Sequence, residues 1–266
     1  MGLLGLYQAQ FRTTAATHLQ YRVESLIWLF GGIVEPTVYL VVWSTVAESS
    51  GGRLGTYTSG GFAAYFAVMM LVEHLTFSWI MHEYEYRVRM GRLSFVLLRP
   101  VHPIHADIVD NITYKLMSLI FLLPVAAFLM WAFHAEFAPP LWAVLAFVPA
   151  LALAFLLRFL MEWTLAMAAF WTTRVSALNQ TYYVAVLFFS GQIAPLSLLP
   201  GPLADIASVL PFRWFVSFPV ELVLGRLTPA ETAAGYLAQA AWLAAALVLV
   251  RRVWRAGVKR YTAVGG

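Results

Sequence analysis

Four ionisable side chains, Glu35, Glu73, Arg158 and Glu162, stand inside runs of apolar residues. A charge near the centre of a bilayer costs about 2.5–3.5 kcal/mol on insertion scales, so such groups must pair, turn inward or reach an interface. Arg158 and Glu162 are one helical turn apart, which allows an ion pair, although arginine before glutamate is the less favourable order. About 26 Å along a helix begun near residue 141, Arg158 also has the reach to snorkel to the cytoplasmic surface. The pair is therefore either structural or part of a transport path. Glu35 precedes Pro36, where proline frees a backbone carbonyl and favours a kink. Facing inward it would attract a lipophilic cation; otherwise it takes a structural partner. Glu73 adjoins His74, read as a hydrogen-bonded structural histidine rather than a proton relay.

Other chemistries find less support. His102, His105 and Asp107 are close in sequence, but Pro103 spoils a helical ligand spacing, so a metal site is not expected. Ser190 beside Gly191 raises an intramembrane hydrolase. No histidine follows His134, and no lysine base sits in a neighbouring span, so the hydroxyl lacks an activator. A P-loop needs a glycine-rich turn ending in Gly-Lys-Ser/Thr. The two lysines, Lys115 and Lys259, follow Tyr114 and Val258, so neither is a Walker lysine and no cofactor is expected in this chain. The absence of cysteine excludes disulfides and thiolate chemistry.

The elements that must carry these residues are membrane helices. Hydrophobic residues make up 61% of the 266 and charged ones 11%, against roughly 25% charged in a soluble domain. Apolar windows of about 20 residues match the hydrocarbon thickness. The expectation is a single all-α, polytopic domain over 1–266 with six crossings near 23–46, 60–82, 112–134, 141–171, 177–196 and 233–250. The fourth exceeds one bilayer and must tilt, project or break. Residues 1–22 read as an amphipathic helix on the membrane surface, with Leu4, Tyr7, Phe11 and Ala15 at helical spacing. Pro200, Pro202, Pro211 and Pro219 argue against a further unbroken span. The 197–230 segment is instead expected to form a pair of short helices dipping into the outer leaflet. In the last span Ala234, Ala238, Ala241 and Ala245 form a small-residue face, read as core packing first and dimer interface second.

Six crossings put both termini on one side. Arg12 and Arg22, the loop arginines Arg87, Arg89, Arg92 and Arg99, and Arg251, Arg252, Arg255, Lys259 and Arg260 fall there; Arg53, Arg213 and Arg226 fall opposite. The positive-inside rule makes the first side cytoplasmic. The net charge of +4 is explained by this bias and gives no reason to invoke nucleic acid. Within the 83–111 loop, Leu93, Val96 and Leu97 fall at i, i+3 and i+4, Gly91 loosens the start, and Pro100 and Pro103 end the run. A capped amphipathic helix on the cytoplasmic side is something a partner protein can push against.

Two segments resemble the six-helix permease subunits of ABC-2 type exporters, in particular a branch of multidrug and viologen exporters. RMGRLSFVLLRPVHP matches that family's cytoplasmic signature at Arg89, Gly91, Leu93, Leu97, Leu98, Arg99, Pro100, Val101 and Pro103. The run from Ser190 and Gly191 through Pro195, Pro211, Pro219 and Glu221 is similar to the family's segment before the last span. The resemblance implies a coupling helix, carried by Arg87, Arg89, Gly91, Arg92, Leu93, Arg99 and Pro100, that docks on an ABC ATPase subunit holding ATP and Mg. It also implies outer re-entrant helices, a dimer with a second or paralogous permease, and export across the cytoplasmic membrane. Glu35, Arg158 and Glu162 are the candidates for the path. The competing reading, an ion-coupled secondary transporter, would favour discontinuous helices and a midplane ion site. No inverted repeat is visible between the two halves of the sequence.

Overall fold

The computed structural model describes residues 3–172 and 175–261; the other positions of 1–266, and the Arg22 side chain counted above, lie outside the described residues. Two helices, α1 (Leu3–Gln20) and α2 (Arg22–Ser49), lead to a hairpin of β1 (Arg53–Leu54) and β2 (Tyr57–Thr58). Then come α3 (Ser59–Thr76), α4 (Ile80–Arg89), α5 (Leu93–Leu97), α6 (Ile104–Ala132) and α7 (Leu141–Ala166). The chain returns through α8 (Ser176–Phe189) and two short helices, α9 (Gly201–Val209) and α10 (Ser217–Val223), to α11 (Pro229–Val258). Among the described residues the protein is all-α apart from the hairpin, and five stretches are long and apolar enough to cross a membrane: Ile27–Ser49, Ser59–Arg89, Ile104–Ala132, Leu141–Phe170 and Pro229–Val258.

Helix α3 is the hub. It is apolar on every side, the pattern of a helix surrounded by others, and its residues from Gly61 to Met70 are all buried. Thr58 caps its start by accepting a hydrogen bond from the Gly61 amide at 2.9 Å. Helix α11 begins with a capping box in which Thr228 and Glu231 satisfy each other's backbone amides. Helix α1 packs on α6 through polar pairs, Tyr7 to His105 and Gln10 to Asp110, while Leu4 and Phe11 remain exposed.

The bundle has two distinct ends. At one, the Glu136 amide donates to the Gly60 carbonyl and Arg226 donates to Thr56, bringing together the starts of α3, α7 and α11. At the other, Tyr261 bonds Ser94 at 2.9 Å and Tyr7 bonds His105 at 2.9 Å. The described C-terminal end therefore lies beside the α4–α5 elbow, and the N-terminal helix beside the start of α6.

Three sequence expectations are corrected by the fold. The segment 177–196 becomes α8, whose 14 residues reach about 21 Å, short of the roughly 30 Å hydrocarbon core. It completes the return from the end of α7 only together with the turn after it. The 60–82 span is not one rod, because residues 77–79 are non-helical between α3 and α4. The alanine face of α11 is not core: Ala234, Ala241 and Ala245 are exposed. Glycines take the close approaches instead, since a Cβ at Gly235 would stand 2.0 Å from the Phe218 ring and one at Gly257 2.3 Å from the Phe170 ring.

Candidate functional site

The elbow is built from its anchors outward. Gly91 turns the chain at φ +65°, where a Cβ would meet no neighbour within 4 Å; the backbone angle, not crowding, selects glycine. Leu93 is fully buried and fastens α5 to the core, and the Tyr261 hydroxyl bonds both Ser94 and the Gly91 carbonyl. Arg87 is taken up internally, holding Glu83 and, at 2.7 Å, Asp107. Asp107 also accepts from the Trp163 indole at 3.0 Å. Arg89, Arg92, Arg99 and Pro100 are exposed, with Arg92 over the Tyr86 ring. Between the exposed arginines the elbow shows Phe95 at 73% and Leu98 at 83% exposure, with Met90 beside them. Leu93, Val96 and Leu97 form the inward face of α5; Phe95 and Leu98 form the outward one.

His102 and His105, considered above as ligands, have other work. The His102 ring lies 4.6 Å from Trp254 and 5.5 Å from Trp163. Burial, and secondarily the nearby His105, lower its pKa below the ordinary histidine value, favouring a neutral ring in this aromatic packing.

Helix α4 leads from the elbow to the break at 77–79, where Glu73, Arg158 and Glu162 gather. Arg158 grips Glu73 with both terminal nitrogens, at 2.7 and 2.9 Å, and Glu162 with Nε at 2.8 Å. Arg158 is 1% exposed and Glu162 is fully buried, so Arg158 does not snorkel to a surface; its partners hold it inside. The ion pair forms despite its less favourable order, because Glu73 from α3 completes a triad.

The freed backbone of the break is satisfied by the same group of residues. Glu162 accepts from the Ser78 amide at 3.1 Å and from its hydroxyl, while the Lys115 side-chain nitrogen donates to the Phe77 carbonyl. Arg158 also donates to Thr76 at 3.1 Å. A donor thus meets the carbonyl end of α3 and an acceptor meets the amide end of α4, partners for the backbone groups that each helix end leaves unsatisfied. His74 bonds Ser118, as a structural histidine would. Gln192, just beyond α8, donates to Glu73 and ties the return segment to the network.

Glu35 is brought to neither cluster. It lies midway along α2, exposed on the protomer, with the Tyr39 hydroxyl donating to it at 3.0 Å. In the return segment, Gly191 adopts φ +94° and a Cβ there would stand 2.6 Å from the Tyr65 hydroxyl, which donates to the Gly191 carbonyl. Ser190 is buried, and its hydroxyl finds no hydrogen-bond partner among the described residues, so nothing activates it as a nucleophile. Pro195 precedes one 3-10 turn, Pro211 opens another and Pro219 sits in the first turn of α10. Glu221 accepts from Ser217 at 3.2 Å, and burial, opposed by Arg213, raises its pKa above the usual carboxylate range.

The sequence reading missed Glu73 as the partner of Arg158, Lys115 as the cap on the break, and Phe95 and Leu98 as the outer face of the elbow. Comparison with known proteins finds a family model, described as ABC-2 family transporter protein, that matches residues 33–265. No curated protein matches the chain.

Proposed function

Because the chain belongs to the ABC-2 transporter family, a membrane component that is not itself the ATPase, we propose that it is the permease of an ATP-driven exporter. An ABC ATPase subunit, holding ATP and Mg, docks on the elbow through Phe95 and Leu98 ringed by Arg89, Arg92 and Arg99. The elbow and both termini then face the cytoplasm, and the membrane is the cytoplasmic one. The observation that carries this reading is the elbow's exposed apolar pair, set among arginines that the core does not use. An apolar surface held rigidly outside the spans points to a protein partner.

In this reading, nucleotide-driven closure of two ATPase subunits moves two elbows. Each displacement passes along α4 to the joint at 77–79, where α3 is held by Lys115 and α4 by Glu162. The permease works as a dimer, with a second copy or a paralogue. The cargo is hydrophobic or amphipathic, and Glu35 favours a cationic one. A half-helical break with charges beside it is also what an ion-coupled transporter would use. Here the Lys115 side-chain nitrogen already donates to the freed Phe77 carbonyl and fills the place a transported ion would take, which favours the ATP-driven reading.

Two results test the proposal. Charge reversal in Arg89→Glu with Arg92→Glu should weaken ATPase association about tenfold, chiefly through a slower on-rate that is sensitive to salt, while membrane insertion is retained. Copurification in mild detergent reads this directly. Glu35→Gln should lower transport of a lipophilic cation several-fold in proteoliposomes without lowering that of a neutral amphiphile. Transport sustained by an ion gradient in nucleotide-free vesicles would instead establish the ion-coupled reading.

A further inference from the structure

At the end opposite the elbow, the β1–β2 hairpin, α9 and the start of α11 enclose a pocket of about 350 Å³ lined by Thr56, Tyr57, Ser197, Arg213, Glu221 and Arg226 among others. Its two carboxylates are committed. Glu231, on the rim, closes the α11 capping box, and Glu221 accepts from Ser217. Its two guanidiniums are not. Arg213 makes one long ion pair, 3.6 Å to Glu221, and its Nε is buried without a partner. Arg226 stacks 3.6 Å over the Tyr57 ring and donates one hydrogen bond, to Thr56. Each guanidinium offers five N–H donors, of which Arg226 uses one and Arg213 makes only the long contact to Glu221, so an acceptor-rich anion would complete them. Planar guanidiniums suit the oxygens of a phosphate.

The volume exceeds what a lone ion needs, and the wall of the pocket is amphipathic. Helix α9 turns Ala204 and Ser208 to the cavity and leaves Leu203, Ile206 and Val209 exposed. A molecule with a phosphate in the cavity and an apolar tail across α9 satisfies both surfaces. We propose that this pocket binds a phosphate ester head group, with the phosphate between Arg213 and Arg226 and a membrane phospholipid as its source.

The test uses the purified full-length protein in detergent and native mass spectrometry with four probes: dihexanoyl phosphatidylethanolamine, glycerophosphoethanolamine, inorganic phosphate and dihexanoylglycerol. The phospholipid should bind, and R213Q/R226Q should weaken it at least tenfold while R53Q, on the β1–β2 hairpin but outside the pocket, leaves it unchanged. Equal binding of the glycerophosphoethanolamine would assign the site to soluble phosphate esters. Weaker binding of that probe assigns it to lipid. If the double variant unfolds, R213Q alone, which gives up the long ion pair and the contact over the Trp214 ring, should reduce binding several-fold. Undiminished binding in a folded variant, or binding no tighter than that of dihexanoylglycerol, overturns the proposal.

Discussion

Arg158→Met should strongly destabilise the bundle. Removing the guanidinium strands Glu73 and Glu162 without their shared counter-charge, and breaking a buried pair by deleting one partner costs about 3–5 kcal/mol. Arg158 makes four hydrogen bonds, two to Glu73 and one each to Glu162 and Thr76. Lysine would restore charge but not this fork, so Arg158→Lys should recover a minor part of the loss. The informative rescue is Arg158→Met with Glu73→Gln. It leaves Glu162 with its Ser78 donors on one side of the break and Lys115 donating to the Phe77 carbonyl on the other, and should return more than half of the stability. Denaturation midpoints in detergent for the four corners of this cycle would give the coupling directly. A native-like midpoint for Arg158→Met would mean that the triad does not hold the break.

What the sequence reveals and conceals here follows from the range of each interaction. Hydropathy is local, so the helical class is readable from it, and five of the six expected crossings coincide with stretches long and apolar enough to span. The Arg158–Glu162 pair is also local, four residues apart on one helix. Glu73 reaches Arg158 across 85 positions, and which face of α3 meets α7 depends on packing that no single segment encodes. The interruption after Thr76 has neither proline nor glycine to mark it: the residues there are Phe77, Ser78 and Trp79. The break instead rests on partners from α6 and α7. In 177–196 the apolar run continues past Phe189, but Gly191 turns the chain, a change of backbone angle that hydropathy does not register. At the elbow the i, i+3, i+4 pattern gave the buried face of α5, and the functional surface was its complement.

Phe95→Asp combined with Leu98→Asp should abolish ATPase capture while leaving the permease folded. Apolar anchors at the centre of an interface each contribute about 2 kcal/mol or more, so losing two weakens association by at least about 100-fold even without full additivity. The arginine ring, acting mainly on encounter, should give about a tenth of that effect. Both side chains are largely exposed in the protomer, so the thermal midpoint of the isolated permease should not move. Leu93→Asp provides the contrast, because Leu93 has no exposure; it should destabilise the elbow itself and lower the midpoint. Nucleotide-stimulated transport in proteoliposomes containing the ATPase should fall with capture for Phe95→Asp/Leu98→Asp. Capture retained by that variant would move the contact off the elbow, and with it the lever that α4 supplies to the joint at 77–79.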